Sequence, residues 1–160
     1  MALTVNTLAE VPGADTYIVE LGLEGTAHPA NEIARSRIRD ELEVGEWYVQ
    51  TGDDAEEQDL IMQIEGTVDR ARLPAYLVLT SHPEDAEEGI ALYLDEVESE
   101  DEAWELLRTA VSEMRSAAEP TPNTAELTER IRTAVAEHGG LSLSANAVTL
   151  VGFGLEFVPI

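Results

Sequence analysis

Tyr76-Leu77-Val78-Leu79-Thr80, the acidic break Glu84-Asp85-Ala86-Glu87-Glu88, and Ile90-Ala91-Leu92-Tyr93-Leu94 make up the stretch on which the fold turns. Two short runs rich in aliphatic and aromatic residues, separated by charges that water must solvate, read as two strands joined by a loop. Upstream, Trp47-Tyr48-Val49 and Leu60-Ile61-Met62-Gln63-Ile64 have the same character and flank a second acidic break, Asp53-Asp54-Ala55-Glu56-Glu57. Four such runs at this spacing predict an antiparallel meander. The alternating segment Tyr17-Ile18-Val19-Glu20-Leu21-Gly22-Leu23 adds an earlier strand.

Outside these runs the hydrophobic period changes to that of a helix. After His28-Pro29, Ala30, Ile33, Ala34, Ile38 and Leu42 recur every three or four residues, with Pro29 suited to the first helical position and Gly45 ending the pattern. A second helix is predicted from Ser99, which can cap while Glu102 reaches back in a capping box, and Trp104, Leu107, Val111 and Met114 form its apolar stripe. Pro120 and Pro122 interrupt. Asn123 with Glu126 opens a third helix whose Leu127, Ile131, Ala134 and Val135 share a face, and Gly139-Gly140 closes it. The run from Leu141 to Ile160 carries one charge, Glu156. Alternation puts Val151, Phe153, Leu155 and Phe157 on one strand face and Val148, Leu150, Gly152 and Gly154 on the other. So bare a stretch is expected to be a central strand or a surface covered by another subunit. The order β-α-β-β-β-β-α-α-β predicts an α+β class: a mainly antiparallel sheet of about five to six strands with three helices packed on it, a single domain over residues 1–160.

The 160 residues include 33 Asp+Glu against 9 basic residues, a formal charge of −24, and all nine bases are arginine. With 44% hydrophobic residues the chain has enough apolar material for one core. There is no cysteine, which excludes disulfides, thiolate metal sites and a cysteine nucleophile. No apolar run is long enough to span a bilayer, and the N-terminus lacks the basic and apolar regions of a secretion signal, so a high-salt cytoplasm or a virion is the expected location. An acidic, lysine-free chain resembles the proteins of salt-in halophilic archaea. In molar salt the Debye length falls to about 3 Å and screens the self-repulsion that this charge creates in dilute buffer. Binding to nucleic acid is disfavoured, because phosphates repel the chain and high salt removes counterion release.

Candidate chemistry is sparse. The histidines His28, His82 and His138 have no HxH, HxxH or HExxH spacing, and the acidic runs lack the order of a calcium loop, so no metal site is expected. Gly152-Phe153-Gly154 has neither the third glycine nor the following helix of a phosphate loop, and no G-x-S-x-G is present. No catalytic residue and no cofactor are therefore predicted. The arginines are informative because they are few. Arg35, Arg37 and Arg39 cluster in the first helix, and Arg70 and Arg72 lie two apart. They can pair locally with Glu32, Glu41, Glu43 or Asp69, or grip the acidic surface of a neighbouring subunit through bidentate contacts, or hold an anion. Interface candidates are thus Arg35, Arg37, Arg39, Arg70, Arg72, Leu150, Gly152, Gly154 and Val158.

The opening Met1-Ala2-Leu3-Thr4-Val5-Asn6-Thr7, with Leu8-Ala9-Glu10 and Ala14-Asp15-Thr16-Tyr17, resembles the starts of small neck and connector proteins of tailed viruses. The element order is similar to that of tail-terminator subunits, small α+β proteins that form a ring at the head-proximal end of a tail. The resemblance implies a non-enzymatic structural subunit whose partners are further copies of itself and other structural proteins. The expected function is that of a neck or tail component of a tailed virus of a halophilic archaeon. The alternatives are a cellular halophilic domain that binds a small ligand or a regulatory partner, and an enzyme using scattered carboxylates.

Overall fold

A computed structural model describes residues 2–5, 11–13, 15–22, 37–51, 64–94, 97, 99–116, 124–138 and 155–159. Strands β1 (Ala2–Val5), β2 (Thr16–Leu21), β3 (Glu46–Thr51), β4 (Ala75–Leu79), β5 (Glu88–Tyr93) and β6 (Leu155–Pro159) lie in the order β1-β3-β2-β4-β5-β6. At the centre, β3-β2-β4-β5 form a four-stranded mixed sheet, with β1 and β6 as short strands on its two edges. Helices α1 (Glu100–Ser116) and α2 (Thr124–His138) pack on one face.

This corrects the expected mainly antiparallel sheet with three helices. β3 pairs in parallel with both β1 and β2, and only the β2-β4-β5-β6 half is antiparallel. Residues 22–45 separate β2 from β3, too long a connection for a hairpin, and parallel neighbours require such a crossover. The helix read into this crossover is described only as a single turn, Ile38–Glu41, since residues 23–36 lie outside the described residues. Two long helices stand among the described residues. Leu60 to Gln63 are also outside the described residues, and Ile64 stands in a helical turn, capped by Thr67, not in the expected strand. Among the described residues the C-terminal strand, Leu155–Pro159, is an edge strand paired with β5 alone and not a central one, and Leu141 to Gly154 lie outside the described residues.

The central strands are apolar on both sides because both sides are covered. Ile18, Tyr48, Tyr76, Val78, Ile90 and Leu92 meet the helices, where Leu107, Ala110, Leu127 and Ile131 are buried. Tyr17, Val19, Leu21, Leu77, Leu79 and Tyr93 face the other way, against Val11, Ile64, Val68 and Ala86. Each large aliphatic side chain so enclosed contributes about 1.5–3 kcal/mol. Ser99 Oγ accepts from the Glu102 N–H at 3.2 Å, so α1 starts where its cap requires. Along α1, Leu107, Val111 and Met114 are buried together with Ala103, Leu106 and Ala110, whereas Trp104 is only half-buried. β2 ends at Gly22, whose φ of +70° and closeness to Leu73 Cβ, 3.2 Å from where a Cβ would stand, both favour glycine.

Candidate functional site

Three features hold the chain's unusual polar chemistry, and the first lies inside the core. Glu20 sits in β2 among apolar neighbours, is 5% exposed, and pairs across strands with Tyr76 on the helix-covered face. Tyr48 Oη donates to its Oε2 at 2.6 Å. Tyr48 and Tyr76 meet edge to face with ring centroids 6.0 Å apart. Burial pushes the Tyr48 hydroxyl well above its ordinary value, and the neighbouring Tyr76 and Glu20 add to that shift. Tyr76 is raised too, by burial first and the Glu20 charge second, with the nearby Tyr48 hydroxyl acting against them, and its Oη has no hydrogen-bond partner of good geometry among the described residues. The other two tyrosines are tied: Tyr17 Oη donates to the Pro12 carbonyl at 2.9 Å, and Tyr93 Oη accepts from the Asp69 N–H at 3.0 Å.

The second feature joins α1 to the start of β3. The Arg115 guanidinium grips Glu46 through Nε to Oε2 at 2.9 Å and Nη2 to Oε1 at 2.6 Å, and Nη2 also donates to the Glu41 carbonyl at 2.6 Å. Glu46 is 8% exposed. Burial by itself would push its carboxyl up, but the Arg115 fork and the Glu43 N–H draw it below its ordinary value, and Arg115 is raised in turn by Glu46. Beside this clamp, Ile38, Leu42, Trp104, Val111 and Arg108 line an open groove of about 160 Å³.

The third feature is the pair of sheet edges. β1 reads Ala-Leu-Thr-Val, without a charge, and β6 reads Leu-Glu-Phe-Val-Pro, with one. Natural edge strands are commonly guarded by charges or bulges against pairing with another chain. In a sequence that is 26% charged, eight of the nine edge residues are uncharged. Among the described residues no strand pairs with the outer side of either.

Of the arginines proposed as interface residues, the three whose side chains are described, Arg37, Arg70 and Arg72, do not converge. Arg37 turns back onto its own chain, with Nη2 2.8 Å from Asp101 Oδ1, Nε 3.4 Å from Glu100 Oε1, and its guanidinium 6.0 Å from the centroid of Trp104. Arg72 stacks over Tyr93 at 4.3 Å, on the opposite side of the sheet, and Arg70 is exposed beside it in the turn Arg70–Arg72. Arg35, the Arg39 side chain, Leu150, Gly152 and Gly154 lie outside the described residues, and Val158 is buried at 3% exposure against the face away from the helices. His82 is a structural tie: Nδ1 accepts from the Glu84 N–H at 3.2 Å, so Nε2 carries the proton and donates to the Val11 carbonyl at 2.6 Å. His28 and the His138 side chain lie outside the described residues.

Sequence reasoning did not single out Glu20, Glu46, Arg115, Tyr48 or Tyr76 as polar centres. One signal was present: an acid inside the run Tyr17-Ile18-Val19-Glu20-Leu21, where both neighbours are apolar. The Glu46–Arg115 pair spans 69 positions and leaves no local trace. Among the described residues no group of three or more His, Asp or Glu is placed to hold a metal ion, and no helix is long and apolar enough to cross a membrane. Compared with protein-family models, with curated proteins and with solved structures, the chain matches none.

Proposed function

We propose that this chain is a structural subunit that works by assembling with other subunits at high salt, of the kind found in the neck or tail of a tailed virus of a halophilic archaeon. The observation that carries the reading is the pair of almost charge-free edge strands, without an outer neighbour among the described residues, on a chain of charge −24. An edge with so few charges presents a row of backbone donors and acceptors, and concentrated salt strengthens the association of any apolar surface beside it. The acidic, lysine-free surface supports the high-salt setting. The viral setting rests on the resemblance of the N-terminal segment.

Light scattering in about 2–3 M KCl, where charge repulsion is screened, tests the reading. A closed particle of several copies is expected; a chain that stays monomeric at every concentration, alone and with its genomic neighbours, overturns it. A second reading, a cellular ligand-binding domain, is favoured by the groove beside Trp104. At about 160 Å³ that groove is smaller than the roughly 300–1,000 Å³ of typical ligand pockets and accommodates a group the size of one side chain.

A further inference from the structure

We infer that copies of this chain join head to tail, with β6 of one copy adding to β1 of the next, so that one sheet runs on from subunit to subunit. This deepens the assembly reading and rests on it; what it adds is the surface and the partner, a second copy of the same chain.

Strand direction is the first ground. β1, β3 and β2 are mutually parallel, β4 opposes them, β5 runs with them, and β6 opposes them again. β6 is therefore antiparallel to β1. When two copies in the same orientation are set side by side along the hydrogen-bonding direction of the sheet, β6 of one meets β1 of the other in antiparallel alignment, the slightly more stable pairing per residue. No reversal of either copy is needed.

Length is the second ground. Pro159 has no N–H to give to a neighbour, which leaves Leu155 to Val158, four residues, as a pairing edge. β1 is also four residues, Ala2–Val5. The third ground is charge. Alongside these strands only Glu156 would be carried into the junction, in a chain where about one residue in four is charged.

A symmetric junction of β1 with β1 would leave β6 open in every copy, and the reverse junction would leave β1 open. Head-to-tail pairing covers both edges of all copies once a ring closes, and gives a filament when it does not.

The test uses paired blocking variants. Neighbouring residues of a strand direct their N–H groups to opposite sides, so of Leu3→Pro and Thr4→Pro one removes only an outward-facing donor, and the same holds for Glu156→Pro and Phe157→Pro. From each pair, the variant carried forward is the one whose circular-dichroism melt, in about 2–3 M KCl and at a dilution where the wild type is dissociated, matches the wild type. Each of the two chosen variants alone should have the mass of a single chain. Mixed in equal amounts they should form a dimer and stop there, because the β1-blocked copy still offers β6 and the β6-blocked copy still offers β1.

A β6-blocked variant that dimerises by itself would mean β1 pairs with β1 and overturns the inference. Variants that still assemble to the wild-type size also overturn it, while leaving the assembly reading intact. A monomeric wild type removes both. Hydrogen exchange on the wild type reads the same question without substitutions. The outward-facing backbone amides among residues 2–5 and 155–158 should exchange at least tenfold more slowly in the assembled particle than in the dissociated chain, and equal rates in the two states refute the junction.

Discussion

Replacing Arg115 by methionine keeps most of the side-chain length and removes the charge that holds Glu46. The guanidinium makes three hydrogen bonds at 2.6–2.9 Å to Glu46 and the Glu41 carbonyl, and its loss leaves a carboxylate that is 8% exposed without its fork. Breaking a fully buried pair costs about 3–5 kcal/mol, whereas exposed pairs contribute about 0–1 kcal/mol. The Arg115 side chain is 32% exposed, so solvent screens part of the interaction, and a loss of about 2–3 kcal/mol is expected. For a chain of this size that corresponds to a drop of roughly 5–10 °C in the melting midpoint.

The pH dependence follows from the sign of the shift. Glu46 lies below its ordinary value in the folded chain, so its contribution is present above the unfolded-state value of about 4.3 and is lost as pH falls through the folded value. The Arg115→Met variant should therefore lose less stability than the wild type across that acid window. Urea unfolding in concentrated KCl, for wild type, Arg115→Met, Glu46→Gln and the double variant, isolates the coupling. A coupling below about 0.5 kcal/mol would show that the clamp is a surface pair and would refute the reasoning.

Tyr76→Phe removes a buried hydroxyl that has no partner among the described residues and should leave stability unchanged or raise it by up to about 1 kcal/mol, while Tyr48→Phe strips Glu20 of a donor and should cost about 1.5–3 kcal/mol; chemical denaturation giving the reverse order refutes the assignment. Tyr48 and Tyr76 are both raised, so their stabilisation is full below the ordinary value of about 10 and fails only as pH climbs through the folded values. Tyrosinate absorbance should rise for these two only when the chain unfolds in alkali, and a smooth rise in the native state counts against their burial. Leu107→Ala, at a fully buried site of α1, should cost about 3–4 kcal/mol, and Trp104→Ala, half-buried beside the groove, about 2 kcal/mol; equal or inverted losses in thermal melts would place Trp104 in the core. On dilution to about 0.05 M KCl, where the Debye length is several times longer, the unscreened −24 charge should abolish the cooperative melt, and a sharp transition retained there contradicts the high-salt reading.

Local signals carried much of the element list. The Ser99 cap, the apolar period of Leu127, Ile131, Ala134 and Val135, and the β-rich runs around Tyr17, Tyr48, Tyr76 and Ile90 all stand where nearest-neighbour physics puts them. Capping and hydrophobic periodicity act within a few residues, and that is why a sequence displays them. The candidate site was less legible. The missing charges of β1 and β6 are visible in the letters, but that these two segments are the edges of one sheet is not.

By itself, then, the sequence determined the chain's charge, through 33 acids and no lysine, and the positions of strands β2 to β5 and of helices α1 and α2. Only the tertiary structure decided that β2 and β3 run parallel, that β6 is an edge, that Arg37 serves α1, and that Glu46 waits for Arg115. Each of these depends on pairing between residues tens of positions apart. Such pairing is selected by the global burial of both sheet faces, for which alternation along a single strand is a necessary but not a sufficient condition.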